Sequence, residues 1–127
     1  MIGVPRGVVV YVYCKPCDMR KSFSTLGALV EQQLRAEVTS GDLFLFVSRN
    51  RTRAKVLYFD GTGLCLFAKR IDQGRFFAPW KRYHAGKRLE LTLSELGLFI
   101  ERSRALRARL SPPLIRRADL KRYVAAQ

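Results

Sequence analysis

The stretch Leu43-Phe44-Leu45-Phe46-Val47-Ser48-Arg49-Asn50-Arg51-Thr52-Arg53-Ala54-Lys55-Val56-Leu57-Tyr58-Phe59 decides how this chain is read. Two short apolar runs rich in aromatic and branched residues flank a polar connection that contains Asn50, a pattern that predicts a β-hairpin. Upstream, Val8-Val9-Val10-Tyr11-Val12-Tyr13 is β-branched and aromatic throughout and predicts a strand buried on at least one face. Downstream, Gly74-Arg75-Phe76-Phe77-Ala78 predicts another strand, stopped by Pro79, and Leu89 and Leu91 around Glu90 predict one more with alternating faces.

Between these runs the apolar period changes. Met19, Phe23, Leu26, Val30 and Leu34 form the stripe of an amphipathic helix, with Asp18 placed to cap it and an end near Ser40-Gly41. After the break at Gly61-Thr62-Gly63, the spacing of Leu64, Phe67, Ala68 and Ile71 predicts a short helix. Thr92-Leu93-Ser94-Glu95 is a capping box, in which the Thr hydroxyl accepts from the Glu N–H and the Glu carboxylate reaches back. The helix it opens carries Leu96, Phe99, Ile100, Leu106 and Leu110 and stops by Ser111-Pro112-Pro113. The expected fold is a single α+β domain over residues 1–101, a small mostly antiparallel sheet with helices on one face. Residues 102–127 hold eight Lys or Arg against the single acid Asp119 and are expected to form a basic C-terminal helix or arm, with Ile115, Leu120 and Tyr123 available for docking.

Of the 127 residues, 48% are hydrophobic and 27% charged, a mixture that folds. The 24 Lys and Arg against 10 Asp and Glu leave a net charge of +14. Self-repulsion on that scale points to a phosphate-rich partner, with a merely basic soluble protein as the alternative. The longest apolar runs, Val8 to Cys14 and Leu43 to Val47, fall far short of the ~20 residues of a spanning helix, and the N-terminus lacks a signal-peptide pattern. A cytosolic location is expected, with Cys14, Cys17 and Cys65 reduced.

The cations cluster. Arg49, Arg51, Arg53 and Lys55 alternate with other residues, so an extended hairpin arm would carry all four on one side, as a ribbon for a DNA groove or backbone. Arg20 and Lys21 at the start of the first helix, and Lys69, Arg70 and Arg75 around the short one, form two further groups. The alternative for each is a solvated basic surface.

Three other chemistries are weighed. Cys14-Lys15-Pro16-Cys17 between a strand and a helix is similar to the thioredoxin-type redox motif, in which a helix N-terminus lowers a thiol pKa, but no alternating βαβ order is expected to follow. The same cysteines with Cys65 and His84 supply four residue types that bind zinc, at spacings unlike a structural site. Asp18, Asp42, Asp60, Asp72 and Glu101 are available for metal-dependent DNA cleavage, Asp42 and Asp60 bracketing the hairpin, yet acids at strand ends are ordinarily turn-formers. No catalytic residue, metal or cofactor is assigned.

The order of these motifs resembles the TnpB-type accessory proteins of the insertion-sequence sixty-six family. The resemblance rests on Asp18-Met19-Arg20-Lys21-Ser22-Phe23, on Gly41-Asp42-Leu43-Phe44-Leu45-Phe46, and on the long run Lys55-Val56-Leu57-Tyr58-Phe59-Asp60-Gly61-Thr62-Gly63-Leu64-Cys65-Leu66-Phe67-Ala68-Lys69-Arg70. Gly74-Arg75-Phe76 and Leu91-Thr92 with Glu95-Leu96 continue it, covering about residues 8–101 and leaving the basic arm outside. The resemblance implies a bacterial protein of the nucleoid that takes part in transposition beside a larger transposase carrying the catalytic carboxylates. Duplex DNA at the element ends and that transposase are the expected partners, and an adaptor touching only the transposase is the alternative. It also implies structural roles for Phe23, Phe46, Tyr58 and Phe67 in the core, with the intervening cations at the surface.

Overall fold

Strict alternation of side chains along a strand lets one sheet feed two cores, and this chain uses both faces. The computed structural model describes residues 7–81 and 88–101. In chain order these form β1 (Val10–Val12), α1 (Phe23–Gln32), β2 (Leu43–Val47), β3 (Arg53–Phe59), β4 (Leu64–Arg70), a 3₁₀ turn at Pro79–Lys81, β5 (Leu89–Leu91) and α2 (Leu93–Ile100). The strands make one five-stranded sheet in the order β4-β3-β2-β1-β5. β1 and β2 are parallel, Val10 opposite Leu43, and the other pairings are antiparallel. The α+β reading holds, with a mixed sheet.

One expectation is corrected by the alternation itself: the two helices lie on opposite faces. Leu26 and Val30 of α1 pack with Phe44, Phe46 and Leu57. Leu96 and Phe99 of α2 pack with Val10, Val12, Leu45, Val47, Val56 and Leu91, the residues that point the other way. Tyr11 stacks on Phe44 at 5.7 Å between centroids, Tyr13 meets Phe46 at 5.6 Å, and across the sheet Phe76 stacks on Phe99 at 5.5 Å. Of the aromatic residues expected in the core, Phe46 is fully buried and Tyr58 half-buried, whereas Phe23 and Phe67 are exposed.

Several element boundaries also move. α1 starts at Phe23 because Ser22, not Asp18, is its N-cap, the Ser22 N–H donating to Thr25 Oγ1 at 2.9 Å. It ends at Gln32, where Arg35 turns left-handed (φ 51°) while the Leu34 and Ala36 N–H groups bond back to Leu29 and Val30. Leu64–Arg70, expected as a helix, is the strand β4, paired along its length with β3. Gly74–Ala78, expected as a strand, has no strand partner among the described residues; Phe76 and Ala78 are buried and the Phe76 N–H donates to the Arg51 carbonyl at 2.7 Å. The Thr92–Glu95 box forms as read, with bonds of 3.1 and 2.9 Å. Continuation of the second helix to Leu110 and the basic arm 102–127 lie outside the described residues.

Candidate nucleic-acid interface

The hairpin tip is built by Asn50. Its side-chain oxygen accepts from Ser48 Oγ (2.8 Å), Thr52 Oγ1 (2.9 Å) and the Thr52 N–H (3.2 Å), which folds residues 48–52 into a tight turn instead of an extended arm. Arg51 sits at its crest with φ 61°. The period-two argument for four aligned cations therefore fails at Arg49 and Arg51, and holds only for Arg53 and Lys55 within β3. Sequence reasoning missed Asn50 as the organiser, although an Asn between Ser48 and Thr52 is the signal of such a turn.

A different grouping replaces the ribbon. Arg53 and Arg70 are direct cross-strand partners on the α1 face, both exposed. The Ile71 N–H to Thr52 carbonyl bond (2.8 Å) marks the adjacent pair as hydrogen-bonded, so by the alternation of the ladder Arg53 and Arg70 form a close, non-hydrogen-bonded pair. Arg49 joins them around a shallow depression that Met19, Ser48, Asn50 and Thr52 also line. Like charges directly opposite each other destabilise a sheet. Among the described residues, none of the three guanidinium groups has a hydrogen-bond or ion-pair partner, so nothing in this part of the fold offsets that repulsion.

The remaining predicted cations separate from this group for identifiable reasons. Arg20 is held by Asp18 in a two-toothed ion pair of 2.8–3.1 Å, and the guanidinium pulls the Asp18 carboxyl down to about 2. Lys55 Nζ donates to the Met19 carbonyl (2.7 Å) and the Lys21 carbonyl (2.8 Å), pinning the segment before α1 to the sheet. Lys69 points to the α2 face, where Nζ donates to the Ile100 carbonyl at 3.0 Å and supplies charge at a helix C-terminus. Lys21 is half-buried beside the depression's rim residue Met19, and Arg75 is exposed in the segment tied to the Arg51 carbonyl. Because Lys55 makes two charge-assisted bonds, Lys55→Met is expected to lower stability by about 2 kcal/mol. A fall in the urea midpoint at unchanged slope would show it.

The cysteine pair does lie in a βαβ unit, since β1 and β2 are parallel neighbours with α1 between them, contrary to the expected order. Redox chemistry gains nothing from this. Both thiols are buried, Cys14 bonding to the Val12 carbonyl at 3.4 Å, and desolvation pushes each up to about 11, opposite to the lowered value that makes a thiol reactive. α1 begins at Phe23, six residues after Cys17, so the helix does not open at the cysteine pair as it does in the redox motif. Among the described residues no three His, Cys, Asp or Glu side chains cluster in a way that could hold a metal; His84 lies outside those residues.

The two hairpin acids have structural tasks. Buried Asp42 accepts from the Val9 N–H (3.2 Å) and from Ser40 Oγ (3.3 Å). Asp60 closes the β3–β4 turn by accepting from the Thr62 and Gly63 N–H groups (2.9 and 3.0 Å) and from Thr62 Oγ1, with Gly61 left-handed at φ 103°. The Thr62 N–H, followed by that of Gly63, draws the Asp60 carboxyl down to about 2. Its stabilising effect is thus fully present above the ordinary carboxyl value near ~4 and is lost as pH falls toward 2. Asp60→Ala is expected to lower the denaturation midpoint at pH 7, with the gap to wild type closing between pH 4 and pH 2. A gap that stays constant over that range would rule out the charged turn as its source.

A family match over most of the chain, and not the fold by itself, places the protein among the accessory proteins associated with transposition. Within that class it belongs to the family described as IS66 Orf2 like protein, whose family model matches residues 8–108. The match therefore reaches a little beyond residue 101, into the segment expected to be an arm. Two curated relatives come from Sinorhizobium fredii, described as uncharacterized proteins y4jC and y4hO. They are 37% and 38% identical over 79 residues, which is 62% of this chain and 68% and 69% of theirs. No solved structure matches the chain. Among the described residues no helix is long and apolar enough to cross a membrane.

Proposed function

We propose that this accessory protein contacts duplex DNA at the ends of its insertion sequence and assists a separate transposase there, at the bacterial nucleoid. The observation that carries the reading is the unpaired cross-strand couple Arg53 and Arg70 with Arg49 beside it. A sheet that holds two guanidinium groups opposite each other without an acid gains stability when a phosphate arrives between them, and Arg presents the forked donors that phosphate accepts. The net charge of +14 supplies the long-range attraction that brings a polyanion to that surface. Lys21, Arg51 and Arg75, whose segments adjoin the depression's lining in sequence or through the Phe76 to Arg51 bond, are the proposed secondary contacts. Arg20, Lys55 and Lys69 already have partners within the chain and are weaker candidates for phosphate contact.

Footprinting on element ends, with and without the transposase, tests the reading. Protection by the accessory protein alone at low salt, receding as salt rises, is the expected result. Protection that requires the transposase would instead favour an adaptor that touches only that protein.

A further inference from the structure

Strand β4 ends the sheet, and its outer edge has no partner strand within the described residues. Two hydrogen bonds fix which of its residues face inward: Ile71 N–H to the Thr52 carbonyl, and Asp60 N–H to the Gly63 carbonyl at 3.1 Å. Bonded and non-bonded pairs alternate between them. Cys65, Phe67 and Lys69 therefore turn their N–H and C=O groups toward β3, and Leu64, Leu66, Ala68 and Arg70 turn theirs outward. The strand is seven residues long and contains no proline and no acid. An edge of that kind is a template for another strand. Midway along it Phe67 is 46% exposed, on the α2 face.

We infer that a second copy of the chain occupies this edge, its β4 antiparallel to the first and the two-fold axis passing at Phe67. That register alone overlaps all seven residues of both strands. It joins Leu66 of each copy to Ala68 of the other, and Leu64 to Arg70, through the outward-facing backbone groups. Each Phe67 then occupies a close non-hydrogen-bonded position opposite its counterpart, and because directly opposed side chains share a face, the two exposed rings cover each other. Charge favours the same direction of pairing. Lys69 and Arg70 stand at one end of β4, while Asp60, exposed and ionised, stands at the turn before the other end. Antiparallel pairing sets the cationic end of one copy against the acid-bearing end of the other, whereas parallel pairing would set Arg70 beside Arg70. The two-fold axis runs perpendicular to the sheet, so both Arg49, Arg53 and Arg70 groups face the same side of one continuous ten-stranded sheet.

Crosslinking and sedimentation test this independently of DNA. Opposed residues at a non-hydrogen-bonded pair lie about 4.5 Å apart at Cα, within disulfide reach. Phe67→Cys is therefore expected to give a crosslinked dimer under mild oxidation. Wild type, whose Cys65 stands opposite Lys69 of the other copy, is expected not to crosslink, and nor is Leu66→Cys, opposite Ala68. By sedimentation, wild type is expected at the mass of two chains, more completely as salt screens the repulsion between copies. Ala68→Pro removes only an outward N–H, so it is expected at the mass of one chain, still folded and melting in one cooperative transition. A wild-type chain that stays monomeric at every salt and protein concentration overturns the inference. So does a dimer that Ala68→Pro leaves intact, or crosslinking through Leu66→Cys as efficient as through Phe67→Cys.

Discussion

Replacing Arg49, Arg53 and Arg70 together by alanine is expected to weaken binding to duplex DNA several hundredfold at 0.1 M salt. The estimate follows from counterion release: each neutralised phosphate contributes a slope of about −0.9 to the dependence of log K on log salt, so three contacts account for roughly 2.7 powers of ten at that concentration. Fluorescence anisotropy with a labelled element end, repeated across a salt series, reads both quantities at once. The affinity should drop and the slope should shallow by about 2.7. Arg20→Ala and Lys69→Ala are the comparisons, because Asp18 already holds Arg20 and the end of α2 already holds Lys69. Each should shift the slope much less than one full contact. If the triple variant retained the wild-type affinity and slope, the depression beside the hairpin would not be where DNA sits. The variant should not unfold the protein, since it removes a repulsion between Arg53 and Arg70 that no described carboxylate relieves.

Phe76→Ala is expected to cost about 3–5 kcal/mol, the range for deleting a fully buried aromatic side chain. Folded domains of this kind are stable by only about 5–15 kcal/mol, so the variant should lie near the edge of unfolding. Phe76 is fully buried and lies on Phe99 with an interplanar angle of 6°, which ties the segment after β4 to α2. Its N–H also supports the Arg51 carbonyl at the hairpin tip. Urea denaturation measures the loss. Amide exchange measures its spread, with the backbone N–H at position 76 and that of Ile71 expected to lose protection before the centre of β2. A loss below about 1 kcal/mol would mean that the space left behind collapses, contrary to the close packing of protein interiors.

Much of this architecture is legible in the sequence, and the failures share a physical cause. β1, β2 and β3 are recognisable because branched and aromatic residues dominate them, β5 because Leu89 and Leu91 alternate with Glu90, and Thr92 with Glu95 announces α2 through a local hydrogen-bond exchange. β4 misleads because Leu64-Cys65-Leu66-Phe67-Ala68 is apolar on both faces of an edge strand, which erases the two-residue period and leaves an accidental helical one. What makes it a strand is the ladder to β3, a tertiary fact. Phe76 and Ala78 imitate strand alternation, but Phe76 packs on Phe99 and gives its N–H to the Arg51 carbonyl of the hairpin turn, and both bury as part of a loop. The end of α1 was hidden because Arg35 takes the left-handed position that glycine normally marks.

The candidate interface was legible as charge and illegible as geometry. Counting cations pointed to a basic surface, and Arg49, Arg53 and Arg70 do gather at one place. Spacing could not tell that Asn50 curls the tip, that Asp18 takes Arg20, or that Lys55 and Lys69 spend their ammonium groups on backbone carbonyls. Nor could it bring Arg53 beside Arg70, a pairing that exists only once β4 is a strand.

The position of β1 inside the sheet bears on how the chain is made. β1 lies between β2 and β5, so one of its sides stays open while the ribosome adds the ~80 residues that separate it from β5, a wait of some 4–16 s at ordinary bacterial rates of synthesis. Until Leu91 emerges, Val10 and Val12 have no cover from the C-terminal elements. A nascent or prematurely terminated product would therefore be sticky, which makes chaperone occupancy early in translation the natural protection for this protein.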